Sequence, residues 1–238
     1  MDNDIVLNKK QEGLFFKGFK GFMKLIRKKV RFIYTGERFK PGTLILSNHE
    51  STKGPLSWDF FCDQPVRLLG TEEMNSGLRR MYKYQTKVYY HEKKHWNLFL
   101  ARLFCLLASP MTNLFYKGLD LISIKDGLRF RETMQDAYTS LCEYKENLVI
   151  FPEDSTKGYL KELEGFKKGF LMIAQYCYKR GYNIPIVVGY YNKNKSLIVV
   201  GEPTTYKALM DKFAGNKDDI AEYLKDMCNE LGKLSDIE

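Results

Sequence analysis

Short apolar runs alternate with longer helical patterns along most of this chain, and this alternation constrains its fold more than any other feature. The runs that follow Pro41-Gly42 are almost wholly apolar, which is typical of strands buried on both faces of a sheet. The predicted strands are 43–47, 66–69, 121–124, 148–151, 184–190 and 197–200. The predicted helices are 129–144, 166–179 and 218–231. We therefore expect an α/β fold, with a mixed, largely parallel sheet covered by helices.

Residues 14–33 have an aromatic face and a basic face. At the helical spacing of about 100° per residue, apolar side chains fall on one stripe and cations fall opposite. The stripe is Phe15, Phe19, Phe22, Ile26, Val30 and Ile33, and the cations are Lys17, Lys20, Lys24, Arg27, Lys28 and Arg31. This pattern is typical of a helix in the headgroup region of an anionic membrane, although the Phe face could also pack on the core. We expect residues 1–40 to form this amphipathic membrane-surface helix and residues 41–238 to form one α/β domain.

The positive charge of the chain is concentrated at its N-terminus. The net charge is +9, and residues 1–31 contribute six of these charges, because they hold nine Lys or Arg against three Asp or Glu. A nucleic-acid-binding protein more often spreads basic residues over its folded face, so we expect no nucleic-acid partner. The five cysteines lie far apart without a C-x-x-C pair, and the polar N-terminus does not resemble a signal peptide. These features favour the reducing cytosol.

Two further segments have less certain patterns. Residues 98–115 are strongly apolar but are interrupted by Arg102 and Pro110, so we expect a buried or interfacial helix, or a helix and a turn, rather than a membrane span. Residues 74–95 are polar, rich in Tyr and Lys, and poorly periodic. We expect them to form a loop or a small excursion over the active face.

Two strand-to-loop junctions carry the residue types that acid–base chemistry needs. One apolar strand ends in Asn48-His49, and another ends in Pro152-Glu153. Ligands of open α/β sheets bind beyond the carboxyl ends of the strands, where these side chains are expected. Ser155, Thr156 and Lys157 follow Glu153 and could hold the oxygens of a phosphate. The two junctions together predict a site for an acid–base reaction on an anionic substrate.

The order of these motifs resembles that of the glycerolipid acyltransferases, the lysophosphatidic acid acyltransferase family. The resemblance covers about residues 44–201 and includes Asn48-His49, F-P-E at 151–153, G-F-K-K-G-F at 165–170 and I-P-I at 184–186. It implies transfer of an acyl group from acyl-CoA or acyl-carrier protein to the free hydroxyl of a lysophospholipid, by a protein peripheral to the cytoplasmic face of the membrane. It also implies that His49 is the general base and that neither a cofactor nor a metal is needed.

In this family an Asp orients the His in the pattern N-H-x-x-x-x-D. A match without a gap places Gly54 at that position, and a glycine cannot orient an imidazole. After an insertion, Ser57-Trp58-Asp59 matches the end of the family motif, and Asp59 becomes the candidate carboxylate. Asp63 and Glu50 are the second and third candidates.

The resemblance also implies cations for the acceptor phosphate. The family block F-P-E-G-T-R-S corresponds here to F-P-E-D-S-T-K, so Lys157 takes the position of the Arg. A second family motif ends in Arg after an apolar strand, and here it offers Lys125, with Arg129 further on. Glu153, Ser155, Thr156, Lys157 and Lys125 are therefore the predicted substrate-binding residues.

Two other interpretations of the sequence remain open. The run His91-Glu92-Lys93-Lys94-His95 matches the zinc motif H-E-x-x-H, with Glu132 or Asp136 as a further ligand, but its two central lysines oppose a cation. Alternatively, an acyltransferase fold without the family Asp could serve as a non-catalytic lipid- or membrane-binding protein. A carboxylate that reaches His49 would favour the enzyme.

Overall fold

The structure, a computed structural model, describes residues 14–50, 53–75, 77–153 and 160–237. Eight strands in these residues form one sheet. The strands are β1 (Arg31–Tyr34), β2 (Leu44–Ser47), β3 (Val66–Thr71), β4 (Ile122–Ile124), β5 (Asn147–Ile150), β6 (Pro185–Asn192), β7 (Leu197–Val200) and β8 (Thr204–Thr205). Their order is β1-β7-β6-β2-β5-β3-β4, with β8 beside β6. The five strands from β6 to β4 are parallel, whereas β7, β8 and β1 run in the opposite direction.

Helices cover both faces of this sheet, which confirms the predicted mixed, largely parallel α/β fold. The α-helices are α1 (Leu14–Ile26), α2 (Lys53–Phe61), α3 (Glu72–Asn75), α4 (Leu78–Tyr84), α5 (Leu98–Leu119), α6 (Phe130–Tyr138), α7 (Gly169–Tyr178), α8 (Tyr206–Lys212) and α9 (Lys217–Ile237). A π-helical segment, Gln85–Lys93, continues α4 without a break and is called the π segment below. A 3-10 turn, Gly127–Arg129, precedes α6, and a π-helical turn, Thr139–Glu143, follows it.

Strand β2 shows how the core is built on both sides of the sheet. All four of its residues are buried. Leu44 and Leu46 belong to the apolar cluster formed with α6, α7 and α9, while Ile45 belongs to a second cluster with Phe16 of α1 and Trp58 of α2. Successive side chains of a strand point to opposite faces, so a strand buried on both sides reads as a continuous apolar run. This is why β2 could be predicted from its sequence.

The predicted helix over residues 14–33 is too long. Helix α1 ends at Ile26, and residues 31–34 form β1, which pairs with β7 in the register Phe32↔Ile198. The apolar stripe therefore does not continue through Ile33 on a helix. Hydrogen bonds to β7 and aromatic and β-branched side chains favour the strand here over the local helical pattern. One strand of the sheet thus precedes residue 41, where the α/β domain was predicted to begin.

Of the two alternatives predicted for residues 74–95, the loop is wrong, because the segment is largely helical, and the excursion over the active face stays a prediction. Within the described residues this stretch contains the end of α3, then α4 and the π segment. Met81 and Thr86 are buried there, and both α4 and the π segment pack along α5. Because few residues of this stretch are buried, its sequence shows no clear helical period of apolar side chains. The packing against α5 stabilises these turns.

Residues 98–119 form one continuous helix, α5, which passes through Pro110 without a turn. Among the described residues, α5 is the one helix that is long and apolar enough to cross a membrane by length and composition. Only 17% of its most apolar window is buried inside the protein.

Candidate functional site

The strands that carry the two predicted junctions are neighbours in the sheet. β2 and β5 are parallel and pair in the register Leu46↔Ile150, so their carboxyl ends lie side by side. The backbone N–H of His49 donates a hydrogen bond of 2.6 Å to Oε1 of Glu153. Two residues that are 104 positions apart in the chain are therefore joined directly at one edge of the sheet.

Asn48 fixes the chain just before His49. Its side chain is buried, and its Nδ2 donates to the Tyr191 carbonyl at 3.0 Å. Its Oδ1 accepts from the Tyr191 backbone N–H at 2.7 Å. This double hydrogen bond attaches the end of β2 to β6 on the side opposite β5. The sequence singled out the Asn48-His49 dipeptide, but the role of Asn48 depends on β6 lying next to β2.

Trp58 holds α2 against the same edge of the sheet. The indole is fully buried, and its Nε1 donates to Oγ of Ser47 at 3.0 Å. The ring lies against the Gly189 backbone, where a Cβ would come within 2.6 Å of it. Because Ser47 and Gly189 are paired across β2 and β6, the glycine makes room for the ring.

Gly54 allows the start of α2 to approach His49 closely. A Cβ at position 54 would lie 2.3 Å from the His49 carbonyl oxygen and 3.1 Å from the Asn48 carbonyl oxygen. Both contacts are with backbone, which cannot rotate away as a flexible side chain can. The position that an ungapped match assigns to the family Asp therefore has no room for a side chain in this backbone.

The His49 ring and the Glu153 carboxyl lie in partly buried surroundings. The His49 ring packs edge-on against Phe151, with the ring centroids 5.1 Å apart. The pKa of the Glu153 carboxyl is raised to about 7, mainly by burial, with the hydrogen bond from the His49 N–H opposing this rise and the charge of Glu50 adding to it. Near neutral pH the Glu153 carboxyl therefore exchanges between its protonated and ionised forms.

Comparisons of the chain with known proteins gave no match. No protein-family model, no curated protein and no solved structure matches this chain. The resemblance to the glycerolipid acyltransferases therefore rests on the short motifs and their order.

Asp59, the predicted partner of His49, binds a cation of the N-terminal helix. It lies on α2 with its side chain only 7% exposed, and its Oδ2 is 2.9 Å from Nζ of Lys20. The Lys20 ammonium also lies near the faces of the Phe16 and Phe60 rings. Asp59 thus joins α1 to α2, and its role in orienting His49 stays a prediction.

The other two candidate carboxylates also have cationic partners. Asp63 accepts a hydrogen bond of 2.9 Å from the Tyr34 hydroxyl and pairs with Arg38 at 2.6 Å. Glu50 follows His49 directly and lies 3.6 Å from Nζ of Lys193. Of the two, Glu50 is the closer to His49 in sequence, and its charge also acts on Glu153.

The predicted phosphate-binding residues are only partly described. Ser155, Thr156 and Lys157 lie outside the described residues. Lys125 follows the edge strand β4, pairs with Glu132 at 2.7 Å and borders a cavity of about 280 Å³. Strand β4 is three positions from β2 in the sheet, which is a lateral separation of about 14 Å at the usual strand spacing. The structure therefore brings His49 and Glu153 together and leaves Lys125 in a separate cavity.

The zinc motif lacks the helix that it requires. The π segment ends at Lys93, and His95 lies beyond it with a positive φ of 56°. His91 and His95 are therefore not one turn apart on a single helix. Across the described ranges, no group of three or more His, Cys, Asp or Glu side chains could hold a metal ion.

Proposed function

We propose that this protein transfers a fatty acyl group from an acyl thioester, acyl-CoA or acyl-carrier protein, to the free hydroxyl of a lysophosphatidate-like lysophospholipid. The reaction takes place at the carboxyl edge of β2 and β5, with His49 as the general base. The observation that carries this proposal is the hydrogen bond from the His49 backbone to Glu153, because it joins the N-H and F-P-E motifs in one place. The motif order seen in the sequence supports the same reaction.

In this reaction a ring nitrogen of His49 removes the proton from the lysophospholipid hydroxyl as its oxygen attacks the thioester carbonyl carbon. The tetrahedral intermediate collapses, the C–S bond breaks, and the thiolate takes up the proton from the imidazolium. The products are the diacyl lipid and the free thiol, with no redox change. A cofactor or a metal is not needed for these steps.

The surrounding residues act by positioning and by charge. Glu153 fixes the backbone of His49 from the β5 side, and Asn48 fixes it from the β6 side. In the proposal, Asp59 stabilises the imidazolium form of His49. In the proposal the acceptor phosphate is held by Ser155, Thr156 and Lys157, which follow Glu153 in the chain, whereas Lys125 borders the separate cavity beside β4.

A second function, lipid or membrane binding without catalysis, is favoured by one specific observation. The ungapped position of the family Asp is Gly54, and the His49 carbonyl leaves no space there for a side chain. If Asp59 serves only to pair with Lys20, no family carboxylate supports the base. The fold would then hold a lipid without transferring an acyl group.

The proposed site of action is the cytoplasmic face of an anionic membrane, with α1 as an attachment element. Phe16 of α1 is buried, and its ring contacts Phe115 of α5 at 5.7 Å. Phe22, Leu25 and Ile26 remain exposed on the same helix. Within the predicted stripe, Phe19 packs on Phe115 with the ring centroids 5.2 Å apart, whereas Phe22 and Ile26 are exposed and supply the proposed contact with lipid.

The proposal is tested by product formation. Purified protein is incubated with lysophosphatidate and oleoyl-CoA or oleoyl-acyl-carrier protein, and phosphatidate and free thiol are measured together. The matched control acceptor is a deoxy analogue of lysophosphatidate that lacks the free hydroxyl. Equal amounts of phosphatidate and thiol with lysophosphatidate, and no acylated product with the analogue, support the transfer. Vesicle binding without product from either donor supports the non-catalytic function.

A further inference from the structure

Helix α5 has small residues on its buried side and large apolar residues on its exposed side. The buried residues are Ala101, Cys105 and Ser109 over the first three turns, followed by Leu119 at the C-terminal end of the helix. Six apolar side chains on the other side are more than half exposed, and we call them the α5 face. They are Phe99, Leu100, Leu103, Leu106, Leu107 and Met111, with exposed fractions from 56% to 76%. In a helix of a soluble protein, the large apolar residues face the core. Small residues where helices contact each other, with large apolar residues on the outward surface, are typical of a helix in lipid.

Interfacial aromatic residues lie at the start of the α5 face. The rings of Tyr90, Trp96 and Phe104 form a cluster with centroid distances of 4.8 to 5.5 Å, and Trp96 is 41% exposed. Trp and Tyr are enriched where one side of a ring meets hydrocarbon and the other meets headgroups. This cluster therefore indicates that the N-terminal end of α5 lies at the headgroup level.

The charge around the α5 face is strongly positive. Among the described residues, the elements that pack most extensively on α5 are α1, α3, α4 and the π segment. Together with α5 they contain ten Lys or Arg, three in α1, three in α4, two in the π segment and two in α5, against three Glu. One of the ten cations, Lys20, is paired with Asp59, and one of the three Glu, Glu72, is paired with Arg129. An apolar surface with this surrounding charge matches an anionic lipid surface.

We propose that the α5 face is the main lipid-inserting surface of this protein and that α5 lies parallel to the plane of an anionic bilayer. The helix is about 33 Å long, so the face can enter the boundary between headgroups and acyl chains over most of that length. Helix α1, which meets α5 through Phe16 and Phe19 on Phe115, adds cations and the exposed Phe22, Leu25 and Ile26.

Two other arrangements of this helix fit the structure less well. In a membrane span the elements that pack along α5 would also enter the hydrocarbon, and they bring Arg79, Arg80 and Lys83 with them. In a symmetric dimer formed through the α5 face, the same cations of each copy would lie against each other. A bilayer rich in anionic lipid instead offers opposite charge and an apolar layer at the same surface.

The test is vesicle binding by a variant in which Leu103 and Leu107 are both changed to Gln. Both side chains are exposed, so the fold has no need of them, and the unfolding temperature should stay unchanged. We expect at least about tenfold weaker sedimentation with phosphatidylcholine–phosphatidylglycerol vesicles, because two large apolar side chains are lost from the lipid contact. Leu128→Gln, at a fully exposed leucine before α6, is the matched control and should bind like the original protein.

Two further readouts test the contact with lipid. Vesicles of phosphatidylcholine alone should bind more weakly than the mixed vesicles, and brominated acyl chains should quench Trp96, since Trp58 is fully buried. Unchanged sedimentation of the double variant would overturn the proposal. So would a lipid-free dimer that the double variant abolishes. Vesicle binding through the α5 face does not require acyl transfer, so a His49→Asn protein should still sediment with the vesicles. A failed acyl-transfer assay would therefore contradict the proposed function but not this inference.

Discussion

At the scale of single residues, Gly54 is the tightest constraint on the candidate site. A Cβ at this position would lie 2.3 Å from the His49 carbonyl oxygen, so Gly54→Ala has to displace either the start of α2 or His49 itself. We expect this variant to lose about 1–3 kcal/mol of unfolding free energy, as overpacked sites do.

The control for this prediction is Gly18→Ala, since a Cβ at Gly18 in α1 meets nothing within 4 Å. Chemical denaturation should show Gly18→Ala equal to or more stable than the original protein, because alanine favours a helix. If both variants are equally stable, the close approach of α2 to His49 is not the constraint described above.

The second residue-scale prediction concerns the pH dependence of stability through Glu153. Burial raises the pKa of this carboxyl to about 7 in the folded protein, above the ordinary value of 4.5. Between these pH values the folded state binds more protons than the unfolded state, so this group lowers the free energy of unfolding as the pH rises. Glu153→Gln keeps the oxygen that accepts from the His49 N–H but removes the ionisation.

Urea unfolding of both proteins at about pH 5 and about pH 8 measures this contribution. Relative to the original protein, Glu153→Gln should gain about 1–2 kcal/mol at the higher pH, after allowance for solvent at a partly exposed group. The difference between the two proteins isolates Glu153 from every other titrating group. A difference that does not change with pH would show that Glu153 ionises normally.

At the scale of elements, the pair between Lys20 and Asp59 connects α1 to α2. Both side chains are almost buried, with exposed fractions of 11% and 7%. Removing one partner of a buried ion pair typically costs about 3–5 kcal/mol, because the other charge is left in a poor environment. Lys20→Met and Asp59→Asn should each destabilise the protein, and the double variant should lose less than the sum of the two.

The same set of variants separates the two roles of Asp59. If Asp59 also orients His49, Asp59→Asn lowers kcat by at least about 100-fold with or without Lys20, while Lys20→Met alone leaves kcat nearly unchanged. If Asp59 only joins the helices, kcat follows the loss of folded protein in all three variants. An unchanged kcat in folded Asp59→Asn would remove Asp59 from the reaction.

At the scale of the whole molecule, the sequence predicted what depends on local pattern. β2 and β7 were predicted because strands buried on both faces are continuous apolar runs. The residues of β1 were predicted to be helical because they fit an amphipathic helical period. Their strand conformation follows from pairing with β7, which the local sequence does not show. The predicted edge-of-sheet location of His49 and Glu153 agrees with the structure, because parallel strands share one carboxyl edge.

The features that were not predicted depend on which strands are neighbours. Asn48 holds Tyr191 only because β6 lies beside β2. The motif order made Lys125 a predicted substrate-binding residue, yet β4, the strand that Lys125 follows, is at the far edge of the sheet. The exposed side of α5 could not be predicted either, because the apolar composition of residues 98–119 fits a buried helix equally well.

The most direct test of the central claim compares two histidines of the same chain. We would measure kcat/KM for acyl transfer from oleoyl-CoA to lysophosphatidate with the original protein, His49→Asn and His95→Asn. His95 is exposed and has a positive φ that asparagine tolerates, so His95→Asn controls for the loss of an imidazole outside the site. Our account predicts a loss of at least about 100-fold for His49→Asn, unchanged vesicle binding, and full activity for His95→Asn. Equal activity of His49→Asn and the original protein would contradict it.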